Sequence, residues 1–292
     1  MIPKKIVLLL LLIFCVGCDG FIGGDGGIEV YDPYHGSEGL VINFLENAPS
    51  EYIYSGENLQ VGVLVKNDGA FDVEDSVLKL TYTTGDIEIV GGDKQSIKLE
   101  GKSTTRQFGA QDVVFWNAAA KEVKFDRSTK IGVIAQYKYQ TNAIEDICID
   151  PDKYGEKLGE KTCQTKDTIS LSDQGAPVAV TKIETVIIPK SRTEGDIEFT
   201  ISVENLRDGF VYDGPNTVKN GALNTLNIVA TLSGNQITCT PSNIKLEEGE
   251  TKCTASYKTN TEYETPLHIR LDYIYEQTVP PKEITLKRYI PP

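Results

Sequence analysis

The sequence predicts an all-β protein: two tandem antiparallel β-sandwich domains following an exported N-terminus. Three observations carry this reading. Apolar and polar residues alternate along many short runs, turn-forming clusters separate those runs, and one strand pattern recurs at a fixed distance. Alternation sends one set of side chains into a core and the other into water. It is visible at Leu59, Val61, Val63 and Val65, at Leu78, Leu80 and Tyr82, and from Ile131 through Val133, Ala135 and Tyr137 to Tyr139. The second half repeats the rhythm at Phe199, Ile201 and Val203, at Leu226, Ile228, Ala230 and Leu232, and at Ile269, Leu271, Tyr273 and Tyr275. Asn67-Asp68-Gly69, Gly91-Gly92-Asp93, Asp208-Gly209 and Asp213-Gly214-Pro215 mark turns between runs. No long stretch keeps a helical period, and the best helical candidate, residues 117–122, is short.

The N-terminus reads as a targeting signal. Lys4 and Lys5 precede an apolar run over residues 6–16, within the roughly 7–15 residues of a secretory core and short of the ~20 a membrane span needs. Val16, Gly17 and Cys18 then resemble the lipobox of secreted lipoproteins, in which cleavage precedes the Cys and its thiol receives lipid. Cys15 departs from that pattern, standing where Leu is usual. The signal peptide is thus expected at 1–17 and lipid on Cys18. Plain secretion with a cut near Gly17 and an uncleaved anchor are the alternatives. Gly20, Gly23, Gly24, Gly26 and Gly27 make residues 18–36 a flexible linker.

A length of 292 residues suits two domains, and 40% hydrophobic content is enough for real cores. The first is placed at 37–172 and the second at 176–292, with Ser172-Asp173-Gln174-Gly175-Ala176 between them. Val61, Val63, Val65 and Asn67 recur as Phe199, Ile201, Val203 and Asn205, each 138 residues on. Each run ends in an Asn whose side chain can bond the turn backbone. Each domain is expected to fold by itself. A strand that alternates after a Gly-acidic turn and closes on Asn and Gly resembles the CARDB-like and other immunoglobulin-like domains of archaeal and bacterial surface proteins. That resemblance covers the first two or three strands of each domain. It implies tandem immunoglobulin-like sandwiches with roles in extracellular display, binding or spacing rather than catalysis.

Six cysteines are present, and beyond Cys15 and Cys18 four remain: Cys148, Cys163, Cys239 and Cys253. Four cysteines allow three pairings. The local pairs 148–163 and 239–253 are favoured, since each stays within one domain. A four-cysteine zinc site lacks CxxC spacing and a supporting His. Disulfides agree with export into an oxidising compartment.

Chemistry is sparse. The net charge of −13 argues against nucleic acid and against an anionic bilayer, so membrane attachment rests on the lipid. The two histidines, His35 and His268, stand apart in sequence, and no nucleophile elbow, zinc-protease motif or phosphate loop occurs. Asp150, Asp152 and Glu156 cluster around Gly155, and Asp150, Asp152 and Gly155 are spaced like the start of a calcium loop. The twelfth position, however, is Lys161 where the full motif needs Glu. Calcium there is the one cofactor to consider, against a solvated loop closed by a disulfide. Tyr137, Tyr139, Tyr273 and Tyr275 are expected to be half-buried. The function expected is a non-catalytic surface lipoprotein for adhesion, partner binding or envelope scaffolding, whose partner is a cell-surface protein or glycan. The alternatives are a lipoprotein that captures a glycan or metal, and an accessory domain of a secreted hydrolase.

Overall fold

The computed structural model describes residues 31–153, 155, 161–214 and 222–290. The signal, Cys18, most of the linker and Glu156 lie outside the described residues. The described chain is built of strands and turns without helices. The first half carries β1 (Leu40–Phe44), β2 (Tyr52–Tyr54), β3 (Asn58–Asn67), β4 (Ser76–Tyr82), β5 (Ile87–Val90), β6 (Lys94–Gln95), β7 (Gln111–Ala120) and β8 (Arg127–Ile149). The second carries β9 (Thr168–Ser170), β10 (Val178–Pro189), β11 (Glu194–Asn205), β12 (Phe210–Tyr212), β13 (Thr225–Leu232), β14 (Asn235–Thr240), β15 (Asn243–Lys245), β16 (Glu250–Lys258) and β17 (Tyr263–Lys287).

The two halves share one strand order. In the first, β1-β3-β7-β5 form a sheet and β6-β4-β8 run side by side in another. In the second, β10-β11-β16-β14 match the first order, and β15-β13-β17 match the second. The recurrence of Val61 and Asn67 as Phe199 and Asn205 therefore reflects a repeat of whole topology, with β3 equivalent to β11 and β8 to β17. The pairings are antiparallel except that β2 runs parallel to the end of β17. β14 also pairs with β13, tying the two sheets of the second half at one edge. Val61, Val63, Val65, Leu78, Leu80, Ile131 and Val133 are at most 1% exposed and belong to one core cluster with Phe199, Ile201, Leu226 and Leu271 of the second half.

The halves meet through their longest strands. β17 pairs with β8 from Tyr263 opposite Ile149 to Leu286 opposite Arg127. Along β8 the buried side chains hold one phase, from Thr129 and Ile131 through Tyr137 and Tyr139 to Ile147 and Ile149. One face of one strand thus serves the core of the first half and then that of the second. β17 does the same with a change of phase. Odd-numbered residues from Thr265 to Tyr275 and Val279 point inward, then even-numbered Ile284 and Leu286. The register shift between Val279 and Lys282 supplies the extra residue that this switch needs. Pro280 and Pro281 occupy it, where ladder hydrogen bonds are interrupted and a missing N–H costs nothing. Residues Asp32–Pro292 accordingly form one compact unit.

The segment 117–122, read as a helix candidate, lies mostly within β7. Val114, Trp116, Ala118 and Ala120 alternate into the core, and that burial outweighs the helix preference of alanine.

Candidate interface at the junction of the two halves

Four tyrosines mark the centre of the shared strand pair. Tyr137 stands opposite Tyr275 and Tyr139 opposite Tyr273. They are not half-buried but 1–4% exposed, because their face of the sheet looks into both cores. Ring centroids lie 5.8 Å apart for Tyr137 and Tyr275 and 6.2 Å for Tyr139 and Tyr273, within the range of favourable aromatic pairs.

Each hydroxyl is committed to a loop or a neighbour. Tyr137 accepts from the Leu40 N–H (3.2 Å) and donates to Gln277 Oε1 (3.3 Å). Tyr139 accepts from the Phe71 N–H (3.3 Å) and donates to the Gly175 carbonyl (3.3 Å). Tyr275 accepts from the Gly209 N–H (2.9 Å) and donates to Asn205 Oδ1 (3.4 Å). Tyr273 shares a hydrogen bond with Thr141 Oγ1 (3.0 Å), and that hydroxyl donates to the Val178 carbonyl (2.6 Å). Burial pushes the Tyr137 and Tyr273 hydroxyls well above the usual phenol range, raises Tyr139, and brings Tyr275 up to about 12. All four stay protonated at neutral pH and act as anchors.

The Asn and Gly of the repeat now have their reason. Asn67 donates to the carbonyls of Phe71 (2.8 Å) and Leu99 (3.0 Å) and accepts from the Gly69 N–H (3.2 Å). Asn205 donates to the Gly209 carbonyl (2.7 Å) and accepts from the Arg207 N–H (3.3 Å). A Cβ at Gly69 would lie 1.9 Å from the Tyr139 oxygen, and one at Gly209 would lie 2.5 Å from that of Tyr275. Glycine is what lets each tyrosine reach its turn.

Two clefts of about 600 Å³ flank this junction. The first is lined by Phe71, Asp72, Asp75, Lys138, Asn227 and Asp272, among others. Three of its four carboxylates are partnered locally: Asp75 by Lys138 (3.1 Å), Asp272 by Arg270 (2.9 Å), and Asp72 by the Gly101 N–H (2.7 Å). The second runs along β1, past Glu38, Leu40 and Ile42, and is walled by Arg207, Phe210 and Val279. Arg207 and Glu38 form an ion pair across it.

Both local disulfides are formed, Cys148 to Cys163 and Cys239 to Cys253. The second joins residues directly opposite each other on β14 and β16. Disulfides of this kind are typical of oxidising compartments. In the acidic loop, Asp150 is 2% exposed and already holds a cation of the protein's own. Lys161 Nζ reaches Asp150 Oδ2 (2.6 Å) and the Asp152 carbonyl (2.9 Å), while Asp150 Oδ1 accepts from the Asp152 N–H (2.8 Å). The Asp150 hydrogen bond raises the pKa of Lys161 and keeps it charged. Among the described residues no group of three or more His, Cys, Asp and Glu side chains is placed to hold a metal ion. His35 Nδ1 lies 3.3 Å from Asp173, and His268 is exposed on the outer face of β17. The ties between tyrosine hydroxyls and backbone are not evident from sequence alone. The spacing of 138 residues that relates Tyr137 to Tyr275 is the signal that points to them.

Comparison with known proteins yields no family. No protein-family model matches the chain, and no curated protein does. Among solved structures, the chain is similar to a secreted serine protease, VesC from Vibrio cholerae, at 10% identity and a TM-score of 0.22. That match covers 86% of this chain and 52% of the protease. A protein titled BspA_C_mut matches at 8% identity and a TM-score of 0.16, over 86% of this chain and 98% of that one. The chain spans about half the length of the Vibrio protein.

Proposed function

We propose that this chain is a non-catalytic cell-surface lipoprotein. Lipid on Cys18 anchors it outside the cytoplasm, and a Gly-rich leash carries two immunoglobulin-like sandwiches for adhesion, partner binding or envelope scaffolding. The observation that carries the reading is the repeated strand order. If β1, β3, β4, β5, β7 and β8 are lettered A to F in chain order, the order β1-β3-β7-β5 reads A-B-E-D, like one sheet of an immunoglobulin sandwich, which supports the reading. Strands β10, β11, β13, β14, β16 and β17 take the same places in the second half. The seventh place, G, beside F, is filled in each half by the F strand of the other, since β8 and β17 are neighbours. The two disulfides support an extracytoplasmic setting, and the junction tyrosines are committed to holding loops rather than to moving protons.

Anchoring is tested by Cys18→Ser. The variant is expected to leave the membrane fraction, or to accumulate with its signal uncut. Wild-type processing together with membrane fractionation would refute the lipid anchor.

A further inference from the structure

The two halves repeat one topology, so each shows what the other leaves open. The outer edge of β10 is covered from Val180 to Thr185. The Gln174 side chain, 6% exposed, accepts from the Val180 N–H (2.9 Å) and donates to the Val180 carbonyl (3.1 Å). Strand β9 continues the cover, with Ser170, Ile169 and Thr168 opposite Lys182, Ile183 and Glu184. Leu171 N–H donates to the Thr181 carbonyl, and Thr185 N–H to that of Asp167, each at 2.9 Å.

Strand β1 is the counterpart of β10: Leu40 faces Asn67 as Val178 faces Asn205, and Ile42 faces Val65 as Val180 faces Val203. The direction of its backbone groups follows from its neighbours. Asp68 N–H donates to the Gly39 carbonyl and Leu45 N–H to that of Gly62, so odd-numbered residues bond β3 and even-numbered ones point outward. Leu40 conforms, its N–H reaching Tyr137 and its carbonyl accepting from Gln277 Nε2 (2.7 Å). The next outward residue is Ile42. Among the described residues no group takes its N–H and carbonyl. The position equivalent to Gln174, 138 residues earlier, is Gly36, which has no side chain to offer. Ile42 lines the second cleft of about 600 Å³, so there is space beside this edge.

We propose that the β1 edge at Ile42 is a docking site for an extended peptide segment of a partner protein, bearing an Asn or Gln. A carboxamide there reproduces what Gln174 does for Val180, and the flanking backbone pairs along Ile42 to Phe44; past Phe44, at the counterpart of the residues that β9 covers, the chain turns and Lys282 Nζ holds the Leu45 and Glu46 carbonyls. Main-chain bonding of this kind gives affinity, and the cleft beside it gives selectivity. The inference deepens the partner-binding reading above. It concerns the purified soluble chain, so it stands or falls separately from lipidation of Cys18.

The probe is a labelled synthetic peptide with the sequence of residues 167–174, DTISLSDQ, blocked at both ends, and binding to the intact chain is read by fluorescence anisotropy. Binding is expected, with the Ile42 amide gaining protection from hydrogen exchange when the peptide is added. Ile42→Pro removes the outward N–H without touching the β3 ladder, and edge strands accept proline. Its dissociation constant should rise by about tenfold or more. Absence of binding, or binding that neither protects the Ile42 amide nor responds to the substitution, overturns the proposal. Should Ile42→Pro unfold, hydrogen exchange on the wild-type chain decides alone. Concentration-dependent dimerisation that protects Ile42 without peptide would also overturn it, assigning the edge to a second copy.

Discussion

Separating the halves tests the shared strand pair most directly. The perturbation is expression of residues 32–172 and 173–290 as two chains. The first fragment keeps β8 but loses β17, and with it Val279, Ile284 and Leu286, which are 6%, 1% and 0% exposed in the whole chain. Burying a large aliphatic side chain contributes roughly 1.5–3 kcal/mol, so these three account for roughly 5–9 kcal/mol. Domains of this size are stable by only about 5–15 kcal/mol. The fragment also exposes the Tyr139, Ile147 and Ile149 face of β8, an unpaired apolar edge that invites association. The second fragment loses that same face from its own core. Neither is expected to be a stable monomer, and mixing the two should restore a folded complex. Urea titration followed by tyrosine fluorescence, with sedimentation velocity, reads both outcomes. Two monomeric fragments that unfold cooperatively at the midpoint of the intact chain would refute the argument that each half needs the other's strand.

Two further outcomes follow from the site. Asn67→Ala should destabilise by about 2–4 kcal/mol in urea titration, because it strips three hydrogen bonds and orphans the Phe71 carbonyl and the Gly69 N–H, with Asn205→Ala costing about 1–3 kcal/mol; losses under ~0.5 kcal/mol in both would remove the asparagines from the account. Raising the pH tests the buried tyrosine cluster. Because burial holds the folded pKa of Tyr275 up at about 12 against 10.0 for a free phenol, stability is full below pH 10 and falls as the pH climbs toward 12. Absorbance at the phenolate band should then show a late step coincident with loss of structure, which Tyr275→Phe reduces; a smooth single titration with the fold intact would contradict the buried cluster.

Much of the fold was legible residue by residue. The alternating runs at Leu59, Leu78, Ile131, Phe199, Leu226 and Ile269 all lie in strands with the expected inward phase, and both local cysteine pairs are joined. What alternation reports is the buried face of a strand, not the identity of its neighbour. The pairing of β8 with β17 joins residues more than a hundred positions apart, and no local signal encodes it. The same blindness made the tyrosines look half-buried, since a single run gave no hint that its face serves two cores. At the acidic loop, spacing suggested a cation site without showing that Lys161 reaches Asp150. At β1 the sequence has only Gly36 at the place where Gln174 recurs, a difference without meaning until the edge it would cover is known.

The path of the chain bears on what the protein does with two halves. The lead-in meets the body at the junction. The Pro33 carbonyl lies close enough to Gly175 to come within 2.9 Å of a Cβ there, His35 reaches Asp173, and Glu38 pairs with Arg207 of the second half. β17 then leaves the junction at Tyr275 and runs through the first half to Lys287, whose carbonyl accepts from the Ser55 N–H. At ~3.3 Å per residue that run covers about 40 Å. Tension applied between the lead-in and Lys287 therefore passes through the first half and leaves β10, β11 and β16 off its path. On the reading proposed above, a lead-in that meets the body at the junction sets the β1 cleft beside the point where the chain enters.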